Sequence, residues 1–375
     1  MTAMNSDMRI LIAGGGTGGH VYPALAIVEA LRELRSCRLL YVGGRGGVET
    51  RIVPHHGLAM ETIWIAGFAR RLALKNLLFP LKLAASLVQS WRIVRRFRPH
   101  AAVGTGGYVT GPILWMAARL GVPVLIQEQD IHPGVTTRLL AGVARRICLA
   151  FEEARTHFPG REAKLVTTGN PVRTRLLDAD PGAARAAFGL DPQRRTLLIF
   201  GGSQGARAIN SAMTALLPVL LADPDLQVIW QSGPGEFDAV RAAVNLPADR
   251  VALLPYVEDM AAAYTASDLI VCRAGASSLA ELAIVARPTV LVPYPHAAGN
   301  HQERNARAMV EGGAALMVTE HPGWEAELDA ALRRLLGDRD LCERQSAAWR
   351  ERARPDAARR IAGEIITLAE SGGRP

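Results

Sequence analysis

The chain has 375 residues, 49% of them apolar, and a formal charge of +8 at pH 7. That length favours two domains, and that apolar content supplies two cores and excludes a disordered chain. The surplus of bases points to an anionic partner, with nucleic acid, an acidic membrane surface and a phosphorylated small molecule all open.

Cys37, Cys148, Cys272 and Cys342 are far apart and form no C-x-x-C pair, so neither a zinc site nor a thioredoxin-like motif is indicated and a reduced, cytosolic setting is expected. Met1 to Asp7 is short and polar, and the apolar run behind it is too brief for a signal-peptide core. The longest window without Lys, Arg, Asp or Glu, Pro99 to Ala118, holds four glycines and two prolines and makes a poor membrane span. Any membrane association is therefore expected to be peripheral.

Met8 to Ala13 is an apolar run that enters Gly14-Gly15-Gly16-Thr17-Gly18-Gly19-His20, and Val21 to Arg35 then carries Leu25, Val28, Leu31 and Leu34 at helical spacing. Strand, glycine turn and helix in this order present a helix N-terminus to an anion, most often a phosphate. Gly14, Gly16 and Gly19 also satisfy the dinucleotide pattern G-x-G-x-x-G, so a nicotinamide enzyme competes. In such an enzyme the second strand, Arg38 to Val42, should end on an acid for the ribose. It ends on Gly43-Gly44-Arg45, which disfavours NAD and leaves NADP only through Arg45.

Thr62 to Gln127 lacks Asp and Glu but contains Arg70, Arg71, Lys75, Lys82, Arg92, Arg95, Arg96, Arg98 and Arg119. Phe68, Leu72, Leu74, Leu77, Leu78, Phe79, Leu81, Leu83, Leu87 and Trp91 interleave with these bases, and Pro80 opens a helix to about Arg96. A core helix with a solvated basic face is the plain interpretation. An interfacial membrane contact through Leu77, Leu78, Phe79, Lys82, Trp91 and Arg92 is favoured over it, because it combines apolar insertion with attraction to anionic head groups. Nucleic acid is disfavoured, since the aromatics alternate with leucines and not with polar base-reading residues.

Ala101 to Val103 leads into a second glycine turn, Gly104-Thr105-Gly106-Gly107-Tyr108, and a helix through about Leu120. The strand Val122 to Ile126 delivers Gln127-Glu128-Gln129-Asp130 at its carboxyl end, where open α/β sheets bind ligands. A polar capping loop is the plain alternative; two glycine turns at the same edge favour a site. Thr168 to Arg173 closes the first half, and Asp178 to Gln193, rich in Ala, Pro and Asp, reads as a domain boundary.

The pattern then restarts with a strand at Thr196 to Phe200, the turn Gly201-Gly202-Ser203-Gln204-Gly205, a helix to about Leu221 and a strand at Gln227 to Trp230. A later strand, Asp268 to Cys272, runs into Arg273-Ala274-Gly275-Ala276-Ser277-Ser278 and a helix carrying Glu281. The recurrence implies two doubly wound domains of one type. Amides and hydroxyls at Ala276 to Ser278 suit a phosphate, and Glu281 suits ribose hydroxyls. Singly these are an N-cap and a solvated glutamate; together they describe a nucleoside diphosphate site. Asp223-Pro224-Asp225 matches the D-x-D of metal-dependent sugar transferases but precedes a strand, so it reads as a turn.

Gly15 to His20, Gly106-Gly107-Tyr108-Val109, Glu128-Gln129, Gly169 to Arg173, Gly201 to Arg207, Gln231-Ser232-Gly233 and Asp259 to Tyr264 run in order along the chain. With Val271-Cys272-Arg273, Gly275-Ala276, Glu281, His301-Gln302 and Asn305, they resemble the MurG-type transferases of peptidoglycan synthesis. The resemblance implies an α/β protein of GT-B fold, two Rossmann-like doubly wound parallel-sheet domains facing across a cleft. Residues 1–172 would face acceptor and membrane, residues 173–354 would bind UDP-N-acetylglucosamine, and residues 355–375 would form a helix packing back on the first domain. The implied reaction is inverting transfer of N-acetylglucosamine from UDP-N-acetylglucosamine to the 4-hydroxyl of undecaprenyl-pyrophosphoryl-MurNAc-pentapeptide, lipid I to lipid II, at the cytoplasmic face of the bacterial membrane. No cofactor or metal is expected.

By the same resemblance the donor contacts are Thr17, Gly18, Gly19, Asp130, Arg173, Ser203, Val257 near the uracil, Ala276, Ser277, Ser278, Leu279 and Ala280 around the pyrophosphate, Glu281 on the ribose, and Gln302. Gly15, Gly16, Gly106, Gly107, Tyr108 and Glu128 fall to the acceptor and its pyrophosphate. Asp130 replaces the family's usual Asn, so it accepts from sugar hydroxyls but cannot donate, and Ala274 replaces a common Ser. His20 is the candidate general base, because an imidazole titrates near working pH and stands on the turn at the strand edge. Glu128 and Asp130 are rival bases, and a capping or acceptor-binding His20 is the plain alternative. A UDP-sugar epimerase on the same fold and a non-catalytic module for anionic membranes or nucleic acid are the competing functions.

Overall fold

The computed structural model describes residues 8–66, 78–172, 180–244, 247 and 249–372. The chain divides into two compact units, Met1–Val172 with Arg354–Pro375, and Arg173–Ala353. Leu77 and Arg173, both named above, lie outside the described residues.

In the first unit, strands β1 (Met8–Ala13), β2 (Cys37–Gly44), β3 (Ala59–Ile63), β4 (Ala101–Gly104), β5 (Val124–Glu128), β6 (Arg146–Leu149) and β7 (Leu165–Thr167) form one sheet. All pairings are parallel, in the order β3-β2-β1-β4-β5-β6-β7. Parallel neighbours need crossovers, which here include α1 (Gly18–Leu34), α2 (Glu49–His55), α3 (Phe79–Phe97), α4 (Thr110–Arg119) and α5 (Val135–Leu140). Ile10, Ile12, Tyr41, Val103 and Leu125 bury one sheet face against α1, while Leu11, Ala13, Val42, Ala102 and Ile126 bury the other with α3 and α4. Cover on both faces is why these strands read as unbroken apolar runs.

Helix α1 begins at Gly18, earlier than the apolar periodicity indicated, because the end of the glycine turn already winds into the helix with Thr17 as its N-cap. The strand order reverses between β1 and β4, which puts both glycine turns at the switch point where doubly wound sheets collect their ligands.

In the second unit, β8 (Arg195–Phe200), β9 (Leu226–Gln231), β10 (Val251–Leu254), β11 (Leu269–Cys272), β12 (Thr289–Leu291) and β13 (Leu316–Met317) form a parallel sheet in the order β10-β9-β8-β11-β12-β13. Its helices are α6 (Pro181–Ala187), α7 (Arg207–Leu220), α8 (Phe237–Ala243), α9 (Met260–Ala266), α10 (Ala276–Val285), α11 (His301–Glu311), α12 (Trp324–Gly337) and α13 (Arg339–Arg352). Asp223 accepts from the Asp225 amide at 2.9 Å and from Arg195 at 3.0 Å in the turn before β9, at the amino end of the sheet.

The chain closes with α14 (Ala357–Ser371), which is part of the first unit. Ala358, Ile361, Ala362, Ile365 and Ala369 recur at helical spacing and enter the core that α1 covers. Arg146 on β6 donates to Glu364 at 3.0 Å. Gly169, at φ +89°, has no room for a Cβ against Arg354, so glycine is required where the exit of β7 passes the start of this last segment.

Candidate active site

At the carboxyl edge of the first sheet the two glycine turns interlock. A Cβ on Gly107, at φ +85°, would collide with the carbonyl of Gly15, and one on Gly106, at φ +109°, would lie 2.5 Å from Nδ1 of His20. Only glycine permits this approach. It seats the His20 ring so that Nδ1 is 3.1 Å from the carbonyl oxygen of Thr105. A carbonyl only accepts, so Nδ1 carries the proton, and in the neutral ring the lone pair belongs to Nε2. The same carbonyl accepts from Gln129 Nε2 at 2.7 Å, and Thr105 Oγ1 donates back to the carbonyl of His20 at 2.7 Å. Thr105 and Gln129 thus fix the orientation and tautomer of a side chain whose chemistry is basic at the far nitrogen.

Glu49 is the residue that sequence reasoning missed. β2 does end without an acid, as expected, but the first turn of α2 brings one back beneath the glycines. The Glu49 carboxylate is wholly buried and accepts from the amides of Gly44 at 2.8 Å and Gly16 at 3.0 Å. Its side chain fills the space that a Cβ at Gly15, Gly43 or Gly47 would take. The amide of Gly16 is therefore committed to Glu49 and is not offered to a pyrophosphate. Tyr108, half-buried over Gly16, has its hydroxyl pushed above the ordinary tyrosine range by burial and then by the charge of Glu49.

Glu128 ends β5 buried, and its carboxyl accepts from the amides of Gln129 and Asp130 at 3.0 Å and of Gly134 at 3.3 Å. Burial pushes it up to about 7, the charge of Asp130 adds to this, and the Thr137 hydroxyl and the amide donors offset part of it. It organises the loop that carries Asp130, which is half-exposed.

In the second unit Gly205 and Gly233 press the turns after β8 and β9 together, each leaving no room for a Cβ against the backbone of the other turn. Where the first unit inserts a carboxylate, this one inserts a neutral amide: Gln231 donates to the carbonyl of Gly202 at 2.9 Å and accepts from the amide of Val257 at 2.9 Å. Val257 is buried with its N–H so engaged. Ser203 is exposed on the turn.

Beyond β11, α10 begins at Ala276 with Gly275 as its N-cap and no side chain capping it, so its first-turn amides are left for a ligand or water. The hydroxyl of Ser277 is buried and finds no partner among the described residues. Leu279 is buried behind this turn, with Ser278, Ala280 and Glu281 half-exposed. Arg273 holds the neighbouring loop by donating to the carbonyls of Val292 and Pro293, both at 3.1 Å, and to Glu320. Gln302 accepts from the Tyr294 amide at 3.0 Å through its side-chain oxygen. Among the described residues no three of His, Cys, Asp and Glu are grouped as metal ligands.

Helix α3 buries Ser86, Ser90, Ile93 and Val94 and exposes Leu78, Leu81, Leu83, Val88, Trp91 and Arg92. Phe79, expected at the surface, packs instead against the core. Lys82 lies over the Trp64 ring at 5.9 Å and Arg95 over Trp91 at 5.4 Å. α4 and α5 also expose apolar residues, Trp115, Val135 and Leu139, the last 77% exposed, and Arg119 lies 5.2 Å over Trp115. The periodicity had drawn attention to α3 alone. No helix among the described residues is long and apolar enough to cross a membrane.

Residues 10–149 match the glycosyltransferase family 28 N-terminal domain and residues 196–361 its C-terminal domain. The UDP-N-acetylglucosamine--N-acetylmuramyl-(pentapeptide) pyrophosphoryl-undecaprenol N-acetylglucosamine transferase of Salinibacter ruber is 46% identical, over 96% of this chain and 97% of its own. The protein of the same name in Moorella thermoacetica is 45% identical, over 97% of this chain and 100% of its own. Among solved structures, Acinetobacter baumannii MurG has a TM-score of 0.75 at 30% identity, covering 96% of this chain and 99% of that one. A UDP-N-acetylglucosamine 2-epimerase has a TM-score of 0.67 over 98% of both chains but is 14% identical, a likeness of fold alone. With both of its domains matched in order and nearly half of its residues identical to these relatives, the chain belongs to glycosyltransferase family 28.

Proposed function

We propose that the chain transfers N-acetylglucosamine from UDP-N-acetylglucosamine to the 4-hydroxyl of the muramoyl sugar of undecaprenyl-pyrophosphoryl-MurNAc-pentapeptide, with inversion at the anomeric carbon. The observation that carries the chemistry is His20, held by the Thr105 carbonyl so that Nε2 is its basic nitrogen. The acceptor hydroxyl gives its proton to Nε2 as its oxygen attacks C1. The C1–O bond to the diphosphate breaks with its electron pair going to the leaving UDP. First-turn amides of α10, the Ser277 and Ser278 hydroxyls and Arg173 receive that developing charge, an arrangement that strengthens as the bond breaks. Glu281 takes the ribose, Gln302 donates through its NH2, and Thr17, Gly18, Gly19 and Asp130 meet the donor sugar. Gly15, Gly106, Gly107 and Tyr108 shape the acceptor side.

The arginine-capped apolar surface of α3, α4 and α5 is where we place contact with an anionic membrane, which suits an acceptor carried on a lipid and makes the enzyme peripheral at the cytoplasmic face.

The test is release of UDP from UDP-N-acetylglucosamine with and without a lipid-pyrophosphoryl muramoyl acceptor. Release only with acceptor is expected, and His20→Ala should lower kcat by roughly 10²–10⁴-fold while changing the donor KM only a few-fold. Full turnover in that variant removes His20 as the base. Conversion of the donor without acceptor would mark an epimerase instead.

A further inference from the structure

Tyr264, on α9, is wholly buried, its ring edge-on to Phe200 of β8 with centroids 5.9 Å apart. Its hydroxyl donates to Oε2 of Glu281 on α10 at 2.9 Å, a bond between two helices that flank β11 in the chain. Burial, reinforced by the Glu281 charge, holds that hydroxyl far above the ordinary tyrosine range, so it is a permanent donor. A glutamate is among the side chains with most rotamer freedom to lose, and ordering it on binding weakens affinity unless it is ordered beforehand. Here a packed aromatic ring supplies one oxygen of the carboxylate with a fixed donor.

We infer that Tyr264 is a positioning residue that pre-orients Glu281 toward the 2′,3′-diol of the donor's ribose, and so sets the enzyme's preference for ribonucleoside over deoxyribonucleoside diphosphate donors. This rests on the assignment of Glu281 to the ribose. A carboxylate has about four acceptor positions, and the tyrosine occupies one of them. With one oxygen pinned, a ribose diol meets acceptors already aligned to it. Loss of the hydroxyl removes this anchor from the carboxylate, which weakens donors that use both ribose hydroxyls more than donors that lack one. A site built around a hydroxyl discriminates because its acceptor is left unpaired by the deoxy analogue.

The experiment measures KM and kcat for UDP-N-acetylglucosamine and its 2′-deoxyuridine analogue with the full chain, Tyr264→Phe, Glu281→Gln and the double variant, with thermal midpoints for each. Phenylalanine keeps the ring against Phe200. Tyr264→Phe is expected to raise the KM for the ribonucleotide donor about tenfold, to move kcat and the acceptor KM much less, and to shrink the deoxy-to-ribo KM ratio by a similar factor. Glu281→Gln is expected to shrink that ratio at least as far, and the double variant to add little to it. If Tyr264→Phe weakens both donors equally, or lowers kcat with the ratio intact, the hydroxyl only supports the fold and the positioning role is overturned. If Glu281→Gln retains full discrimination, the ribose assignment itself fails and the inference falls with it. A ratio that collapses in Glu281→Gln but survives in Tyr264→Phe overturns the inference alone. Should Tyr264→Phe fail to fold, the same ratio measured with a fluorinated tyrosine at position 264, whose hydroxyl is more acidic, must change for the inference to stand.

Discussion

Replacing Gly106 with alanine tests whether the second glycine turn exists to seat the His20 ring. A Cβ at position 106 would lie 2.5 Å from Nδ1 and 2.7 Å from Cε1 of His20, where ordinary contact begins near 3.4 Å. The ring must therefore retreat by roughly 0.9 Å, which takes Nδ1 beyond hydrogen-bonding range of the Thr105 carbonyl, now 3.1 Å away. A displacement of about 1 Å at a reacting group costs on the order of 10²-fold in rate. The backbone adds its own penalty, since alanine at φ +109° is strained by about 1–3 kcal/mol, or roughly 2–12 °C in the melting midpoint of a unit this size. Gly121 separates the two effects: it has φ +80°, and a Cβ there would meet nothing within 4 Å. Gly121→Ala should lower the midpoint and leave kcat within twofold. Gly106→Ala, assayed well below its midpoint by acceptor-dependent UDP release, should lose about 100-fold in kcat with the donor KM changed only a few-fold. A folded Gly106→Ala enzyme with kcat within threefold of the parent would refute the claim that this turn positions the histidine.

Glu49→Ala should destabilise the first unit by about 3–6 kcal/mol, because two amides lose a charge-assisted acceptor and a void opens under the turn, whereas Glu49→Gln keeps one acceptor and should cost about half as much; chemical denaturation measures both. Glu128 has a folded-state pKa raised from 4.5 to about 7, so its protonated form is favoured by folding. Its penalty is absent below pH 4.5, grows through the interval up to about 7 and reaches on the order of 3 kcal/mol above it. The stability gap between Glu128→Gln and the parent should therefore shift in favour of the variant as pH rises from 4.5 to 7.5, and a pH-independent gap in melting midpoints would refute this. Leu81, Val88 and Trp91, all exposed on α3, changed together to Ser should reduce sedimentation with anionic vesicles and leave turnover of a water-soluble acceptor analogue intact; unchanged sedimentation counts against that face.

Much of this protein was legible in its sequence because the decisive signals are local. A strand, a glycine turn and a helix N-terminus occupy about fifteen consecutive residues, so both Rossmann-like units and both switch-point turns could be read directly, whereas α14 was expected only from the family resemblance. His20 stood out as the candidate base for the same reason, being fixed to the end of such a turn. What tertiary structure alone decided is which partners those residues have. The Thr105 carbonyl that sets the His20 tautomer is 85 residues away, the Gly16 amide accepted by Glu49 is 33 residues from it, and Tyr264 reaches Glu281 across β11. Periodicity carries no trace of such pairings, because a carboxylate on a short helix looks the same whether it faces solvent or the underside of a glycine turn. That α3 packs against α4 and α4 against α5, each with exposed apolar residues such as Trp91, Trp115 and Leu139, likewise emerged only from the tertiary structure. Composition and local pattern determined the elements and the edge at which chemistry occurs; packing across long sequence separations determined the orientation of each group there.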